Sequence, residues 1–440
     1  MFKNYLKLAF KVLGRRKFFT FVSLFGISFT LMVLMVIMAF LDTELGANAP
    51  MSEADRMVLM DRVEFKTQFY DTIYQVDSQL VAGKMTYDTV NFETEEAGAM
   101  VSQGSPGLKL FRDHLEAVEP YEHFAAMFRR SFDVFQDGRK YSLSAKYADA
   151  DYWKILDFNF LEGTPFNSNH VESATSVAVV TDRMAREFFG TDENVTGREL
   201  TLSGRTFEVI GVVERSRTSS VFTRADIYLP MSTADNQTLS SESLQGPFRG
   251  IFLAPSVNDV KQLQDNLHFA GRNVPIPPDM DDFENITIKA FTVEEKYAWN
   301  LFFDDEVKKS LSKFRWILFG TLGFFLLIPT LNLINLNLSR MVERSSEISV
   351  RKAFGADSRH ILVQFLFENI IITLVGGTIG FLLALLVIYL INQSGALPDT
   401  ILSFNWRVFG ISLIICLGFG FLSGLLPAYR MSRQQVADGL

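Results

Sequence analysis

Residues 18–41, FFTFVSLFGISFTLMVLMVIMAFL, form an apolar run of 24 residues that contains no Asp, Glu, Lys or Arg. A helix needs about 20 such residues to cross the hydrocarbon core of a bilayer. Ala47-Asn48-Ala49 imitates a signal-peptide cleavage site, but Pro50 follows it, and a signal-peptide core has only about 7 to 15 apolar residues. The run therefore predicts an uncleaved membrane anchor.

Three further apolar runs lie in the last third of the 440 residues, at 316–338, 370–391 and 408–429. With the first run they predict a multi-pass α-helical membrane protein with four transmembrane helices. The remaining bulk of the chain, residues 42–312, is predicted to be a large extracytoplasmic domain inserted between spans 1 and 2. Residues 313–440 would then hold the last three spans.

The basic residues predict the orientation of the chain. Residues 1–17 contain Lys or Arg at six positions and no acidic residue, and the loop after the second span has five more Lys or Arg residues at 340–359. Cytoplasmic segments carry such an excess, so both termini are expected in the cytoplasm. Residues 42–312 contain 44 acidic and 26 basic residues, and this domain is expected on the opposite side of the membrane. An acidic domain outside and a basic rim at the lipid surface do not favour nucleic acid as a partner.

The first 17 residues are open to two interpretations. Phe2, Leu6, Phe10 and Leu13 recur three or four residues apart, and lysines occupy another face. This period predicts an amphipathic helix on the cytoplasmic surface of the membrane. The alternative is a basic flank without fixed structure.

Local patterns in residues 42–312 predict a mixed α+β domain. Val177–Val180 has the character of a buried strand, followed by a short helix from Asp182 that ends at Gly190. Alternating apolar residues on either side of Ser203-Gly204 predict a hairpin. Further strands are expected at 227–229, 251–253 and 286–291, with a helix at 257–269.

No catalytic or metal site is predicted in this domain. His114 and His123 flank several glutamates, but Pro120 interrupts any single helix that could align them, and an acidic solvent-facing surface is the preferred interpretation. G-x-S-x-G is absent, and the one cysteine, Cys416, falls in the fourth apolar run. The chain is therefore expected to be non-catalytic and to bind no cofactor itself.

Two G-x-x-x-G pairs mark the third and fourth spans, and such pairs allow close approach of helix backbones. Their members, predicted to mediate helix packing, are Gly376, Gly380, Gly420 and Gly424. No charged residue lies at the middle of a predicted span, where an ion-coupled carrier would usually need one.

Between the second and third spans lies ERSSEISVRKAFGADSRHI, residues 343–361. Glu347 and Arg351 have the spacing of a helix-stabilising ion pair, and Gly355 is a helix-stop residue. The segment could be a short charged helix that docks on another protein at the cytoplasmic face. It could equally be a basic loop that contacts nothing.

This segment resembles the loop of the MacB-like/FtsX-like permease family of ABC transporters, whose pattern is roughly E-R-x-x-E-I-x-x-R-x-A-x-G-A. Residues 343–356 match every specified position of it. NYLKLAFKVLGRRKFFTFVSLFGISF and PAYRMSRQQVADGL resemble the family's two termini. In the large domain, DYWKILDFNFLEGTPF, VVTDRMAREFFG and TFEVIGVVE resemble the MacB-type periplasmic core domain.

The resemblance implies a permease subunit of a cell inner membrane, with both termini cytoplasmic and the large domain periplasmic. It would pair with a second, identical or related, permease subunit and with a dimer of ABC ATPases, which would bind ATP and Mg²⁺. A periplasmic membrane-fusion or adaptor protein is a further expected partner. The loop at 340–360 would couple to the ATPase, and the residues implied in that coupling are Glu343, Arg344, Glu347, Ile348, Arg351, Phe354 and Gly355.

The sequence departs from MacB proper in lacking G-x-x-x-x-G-K-[ST], so the ATPase is expected on a separate chain. Three functions remain open at this point. One is efflux or lipoprotein release by movement of the periplasmic domain. The second is mechanical signalling that activates an envelope enzyme, and the third is a membrane-anchored receptor.

Overall fold

The computed structural model describes residues 17–81, 84–136, 138–304, 306–343, 350, 358–398, 400–407, 409–415, 417–418, 421 and 425. These residues divide into two compact units. One comprises Ala47–Phe303, and the other comprises the residues before and after it, up to Gly46 and from Asp304.

Ala47–Phe303 is built on a sheet of eleven described strands. The strands are β1 Met57–Val81, β2 Lys84–Gly104, β3 His123–Gln136, β4 Arg139–Ala148, β5 Phe160–Gly163, β6 Val177–Thr181, β7 Glu199–Leu202, β8 Arg205–Val213, β9 Ile227–Pro230, β10 Phe248–Leu253 and β11 Asn285–Phe291.

The strand order is β11-β1-β10-β3-β4-β9-β6-β8-β5, with β2 paired to β1 and β7 paired to β8. Most neighbours are antiparallel, whereas β4–β9 and β6–β8 are parallel. Because β1 pairs with β10 and β11, the first strand of the domain is joined to segments about 200 residues later in the chain.

Side chains alternate between the two faces of a strand, and β1 shows this directly. Val58 and Met60 belong to the larger apolar cluster, whereas Met57 and Leu59 belong to the smaller one. The sheet therefore separates two cores.

The first eight described helices, α1 to α8 in chain order, are Lys17–Leu45, Leu108–Leu110, Tyr152–Ile155, Ser168–Glu172, Asp182–Phe189, Asn236–Leu239, Val260–Arg272 and Val293–Phe302. Of these, α1 lies in the other unit, and the rest lie in the sheet domain.

The sequence-predicted elements of the domain are confirmed with small shifts in their bounds. The helix predicted from Asp182 is α5, which ends before Gly190, a residue with a left-handed φ of 76°. The predicted hairpin is β7–β8, with Ser203-Gly204 between its strands. The helix predicted at 257–269 begins as a 3-10 turn at Val257–Asp259 and continues as α7. Most of β1 to β4 was not predicted.

In the other unit, α1 packs against two further long helices, α9 at Val307–Glu343 and α10 at Ser358–Ser394. Three described segments are long and apolar enough to cross a membrane: Thr20–Leu45, Val307–Leu327 and Asn369–Ser394. The first three predicted spans fall on α1, α9 and α10. Half of the residues of the fourth, 408–429, lie outside the described residues, and this span stays a prediction. The N-terminal amphipathic helix at 1–17, of which only Lys17 is described, also stays a prediction.

Candidate functional site: the membrane helices and the segment between them

The residues implied in ATPase coupling lie at the junction of α9 and α10. Glu343 is the last residue of α9, and α10 begins at Ser358. Arg344, Glu347, Ile348, Arg351, Phe354 and Gly355 lie outside the described residues. The structure thus places the ends of two 37-residue helices on either side of the predicted coupling segment. At 1.5 Å per residue, each helix is about 55 Å long.

Polar contacts hold the first turns of α9. Ser310 Oγ donates to one oxygen of the Asp304 carboxylate at 3.1 Å, and Lys313 Nζ donates to the other at 2.6 Å. The bond from Lys313 holds the pKa of Asp304 below its ordinary value. A carboxylate near a helix N-terminus also interacts favourably with the helix dipole. These contacts define where the long helix starts, directly after the boundary of the sheet domain.

Gly376 and Gly380 form the contact surface of α10 toward α1. A Cβ on Gly376 would lie 2.7 Å from the Ile27 side chain, and one on Gly380 would lie 2.7 Å from the Ser28 carbonyl oxygen. Ser28 Oγ donates to the Gly376 carbonyl at 2.9 Å. Small residues let the two backbones approach, and the serine then bonds across the interface.

The other predicted packing glycines cannot be compared in the same way, because Gly420 and Gly424 lie outside the described residues. Gly320 and Gly323 of α9 provide a contrast. A Cβ on either would meet nothing within 4 Å. Close backbone approach is thus a property of Gly376 and Gly380 and does not extend to every glycine in these helices.

A second polar contact joins the C-terminal end of α1 to the segment after α10. Thr400 Oγ1 donates to the carboxylate of Glu44, and both residues are buried. Asn405 Nδ2 donates to Asp42 at 2.9 Å, and Asn392 exchanges two hydrogen bonds with the backbone of Leu402. A buried carboxylate is costly unless hydrogen-bonded, so these partners fix the segment against the helix end. Sequence reasoning missed them because a lone acid beside an apolar run normally indicates only emergence into water.

The sheet domain shows no metal cluster in the described residues. His123 Nδ1 lies 3.3 Å from Asp151 Oδ2, a local contact between β3 and the loop after β4. His114 and the neighbouring glutamates are not assembled with it into a ligand set, so the structure gathers no donors for a metal there.

Asp149, which is partly buried, and Lys146, which is fully buried, are among the ionisable groups of this domain whose pKa values are shifted. Burial raises the pKa of Asp149 from 3.8 to about 6, although its carboxylate accepts a bond from the Ala126 N–H at 3.0 Å. Burial lowers the pKa of Lys146 well below its ordinary range, and nearby arginines lower it further. Lys146 Nζ donates to the carbonyls of Phe222 and Val221. Both groups contact protein backbone, which favours a structural role over a chemical one.

Comparisons with known proteins agree with this arrangement. Residues 20–268 match the MacB-like periplasmic core domain, and residues 319–436 match the FtsX-like permease C-terminal domain. The chain is 24% identical over 310 residues to the macrolide export ATP-binding/permease protein MacB of Salmonella typhi, covering 68% of this chain and 43% of that protein. The chain thus spans less than half the length of the MacB relatives.

A shorter relative is the uncharacterised ABC transporter permease YknZ of Bacillus subtilis, 23% identical over 293 residues, covering 66% of this chain and 67% of YknZ. Among solved structures, the extracellular domain of YknZ from Gram-positive bacteria is 15% identical with a TM-score of 0.31, covering 40% of this chain and 84% of that one. The periplasmic region of MacB from Actinobacillus actinomycetemcomitans gives the same identity and TM-score over 44% of this chain and 88% of that one.

The first family match covers more than half of the chain, and the second covers most of α9, all of α10 and the segment between them. The chain is a membrane protein with an extracytoplasmic α+β domain, and it belongs to the MacB-like/FtsX-like family of ABC transporter permeases.

Proposed function

We propose that this chain is the permease subunit of an ABC transporter whose ATPase is a separate chain. ATP hydrolysis would move the extracytoplasmic domain and so export or extract a substrate, by efflux or lipoprotein release. The ATPase dimer would bind ATP and Mg²⁺, and a second permease subunit would complete the transporter. Both termini would be cytoplasmic, in the inner membrane.

The observation that carries this proposal is the course of α9. This helix begins four residues after Phe303, the last residue of the sheet domain, and continues without a break to Glu343, the first residue of the proposed coupling segment. An uninterrupted helix transmits displacement along its axis because each backbone hydrogen bond ties one turn to the next. A motor bound at 343–355 would therefore act on one continuous helix, in which Pro329 leaves out a single backbone hydrogen bond.

The proposed coupling residues divide by chemistry. Glu343, Arg344, Glu347 and Arg351 would supply ion pairs to the ATPase, whereas Ile348, Phe354 and Gly355 would form an apolar edge and a helix end. Interfaces use this combination, an apolar centre with charged residues around it. Within the 440 residues no phosphate-binding G-x-x-x-x-G-K-[ST] motif occurs, which supports a partner that carries the nucleotide.

Export or extraction is favoured over signalling because the matched MacB relatives are named as macrolide export proteins. The neighbouring reading frames can narrow the class of substrate that this chain would move. A membrane-fusion protein beside the ATPase would favour export.

The proposal is tested by reversing both charges, E347K with R351E, in the full chain and purifying it from native membranes. The wild type should recover an ABC ATPase, identified by mass spectrometry, and the variant should lose it while still inserting in the membrane. The matched control reverses an ion pair of the same spacing in the sheet domain, R183E with E187R, whose side chains are both exposed. Equal recovery of the ATPase by both variants, or ATP turnover by the purified chain alone, would contradict the proposal.

A further inference from the structure

The two longest strands of the extracytoplasmic domain, β1 and β2, pair to form a two-stranded ribbon. Their pairing runs from Val63↔Gly104 to Val81↔Lys84. The pairing of β1 with β10 ends at Met60, and its pairing with β11 ends at Lys66. From residue 67 to residue 101 the ribbon therefore continues beyond the sheet with no third strand beside it in the described residues. An isolated two-stranded ribbon is only marginally stable in water.

One face of this ribbon continues the face that covers the larger core. Phe65 is completely buried in that core, and Thr67, two residues on, is buried and donates to the Asp282 carbonyl at 2.6 Å. Phe69, Asp71 and Ile73 follow at the same alternation, so their side chains share this face. Cross-strand pairing places Met100 beside Thr67 and Glu95 beside Asp71 on it. We name these five residues, Phe69, Asp71, Ile73, Glu95 and Met100, the ribbon strip.

The three apolar side chains of the ribbon strip are exposed. Phe69 is 50% exposed, Ile73 is 46% exposed and Met100 is 36% exposed. Phe65 and Thr67 are buried, whereas the described side chains of this face beyond Thr67 are exposed. Tyr70 and Val101, on the opposite face of the ribbon, are exposed as well. Large apolar side chains exposed close together are typical of an interaction site.

The negative charge of the ribbon strip indicates which kind of partner surface it would bind. Asp71 and Glu95 stand directly opposite each other at its centre, and like charges in directly opposed positions are destabilising. Residues 67–101 contain six acidic residues and one basic residue. A second copy of this ribbon, or an anionic lipid surface, would bring more negative charge to the same place. A partner with a positively charged surface would instead neutralise the opposed carboxylates.

The faces of the ribbon are better suited to docking than its edges. The pairing register shifts between Phe69 and Tyr70 and again between Gln75 and Val76. Such bulges twist an edge away from a neighbouring strand and discourage strand addition. An occupant would therefore pack across the ribbon strip instead of extending the sheet.

We propose that the ribbon strip is the docking surface for an extracytoplasmic partner protein that presents an apolar patch surrounded by Lys and Arg. The apolar side chains supply the contact, and Asp71 and Glu95 select a basic surface over a second copy. This interaction is independent of the ATPase coupling proposed above, which can fail without affecting it.

The test places a photo-cross-linking amino acid at position 73 of the full chain in native membranes. Light should produce an adduct with a different protein, and mass spectrometry should map the link to a Lys- or Arg-rich peptide of that protein. The same amino acid at position 269, an apolar site on α7 that is 70% exposed and so more accessible than Ile73, should not give this adduct.

Two treatments decide whether charge selects the partner. D71K with E95K should lower the adduct yield at least about tenfold, because like charges across an interface cost several kcal/mol. The control, E199K with E208K, reverses the opposed exposed pair of β7–β8 and should leave the yield unchanged. Wild-type protein in about 1 M salt, where charges are screened beyond about 3 Å, should also lose the adduct.

The substitution F69S should lower the yield without changing any charge, and the unfolding midpoint of each variant confirms that it is folded. An adduct with a second copy or with lipid, an adduct insensitive to salt and to D71K with E95K, or no adduct at all would overturn the proposal.

Discussion

Ser28 Oγ of α1 donates a hydrogen bond to the carbonyl oxygen of Gly376 on α10, across 348 residues of sequence. The bond forms where the two helix backbones approach most closely, because Gly376 and Gly380 present no side chain to α1. Association of apolar helices in a membrane depends on such packing and polar contacts, since lipid tails are as apolar as the side chains.

Gly380→Ala should separate α1 from α10. The added Cβ would lie 2.7 Å from the Ser28 carbonyl oxygen, which is backbone and cannot rotate away. Overpacking of this kind costs about 1–3 kcal/mol, so the unfolding midpoint in detergent should fall. Gly320→Ala is the control, because a Cβ at position 320 would meet no atom within 4 Å, and it should be neutral or slightly stabilising. Equal stability of the two variants would contradict the close approach.

Gly376→Ala should cost about as much as Gly380→Ala. A Cβ at position 376 would lie 2.7 Å from Ile27 Cγ2 and 2.9 Å from Ile27 Cβ, and a change of rotamer would move the first atom but leave Cβ in place. A comparison of the two unfolding midpoints in one detergent measures this. An unchanged midpoint for Gly376→Ala would contradict the close approach at Ile27.

Ser28→Ala should destabilise the interface by only about 0.6 kcal/mol, the typical value for a hydrogen bond between membrane helices. Thr378→Ala is a matched control, because its hydroxyl bonds within α10 to the Leu374 carbonyl at 3.0 Å. In a background that already carries Gly380→Ala, where the helices have moved apart, Ser28→Ala should destabilise the protein less, whereas the cost of Thr378→Ala should stay the same. A double-mutant cycle on unfolding midpoints would detect this difference.

Asp149 should make the stability of the sheet domain depend on pH. Its pKa is raised by burial from 3.8 to about 6, so between these values the folded state binds more protons than the unfolded state. Stability contributed by this group is then lost as pH rises from about 4 to about 6. Asp149→Asn removes the titration, and its unfolding midpoint relative to wild type should rise across that interval, by the order of 1–3 kcal/mol in free energy. A difference that is constant with pH would refute the assignment.

Lys146 should make the stability of the sheet domain depend on pH in the direction opposite to Asp149. Burial lowers its pKa, so the unfolded chain binds more protons and stability falls as pH decreases below the ordinary value of 10.5. Lys146→Met keeps an unbranched apolar chain but loses the bonds to the carbonyls of Phe222 and Val221. We expect a higher unfolding midpoint than wild type at neutral pH, with the advantage shrinking as pH is raised. A variant less stable than wild type at all pH values would show that the carbonyl bonds outweigh desolvation of the amine.

Local pattern was enough to predict several elements of the sheet domain. Val177–Val180 is a run of buried residues in β6, and the turn at Ser203-Gly204 combines two positive φ angles, 48° and 84°, between alternating strands. The ribbon was missed because the described side chains of its outer part, at 69–71, 73 and 94–101, are exposed. Without a buried face the alternation of apolar and polar residues that marks a strand is weak.

The sequence by itself determined which segments are long and apolar enough to enter a bilayer and how charge divides between the two parts of the chain, since both depend only on composition along the chain. It also located the segment at 343–361 by its resemblance to a known pattern. Only the tertiary structure decided that Gly376 and Gly380 face α1, that Glu44 is held by Thr400, and that Phe69 and Ile73 extend past the core. Each of these depends on contacts between residues distant in sequence or on where a covering layer ends, and no local pattern records either.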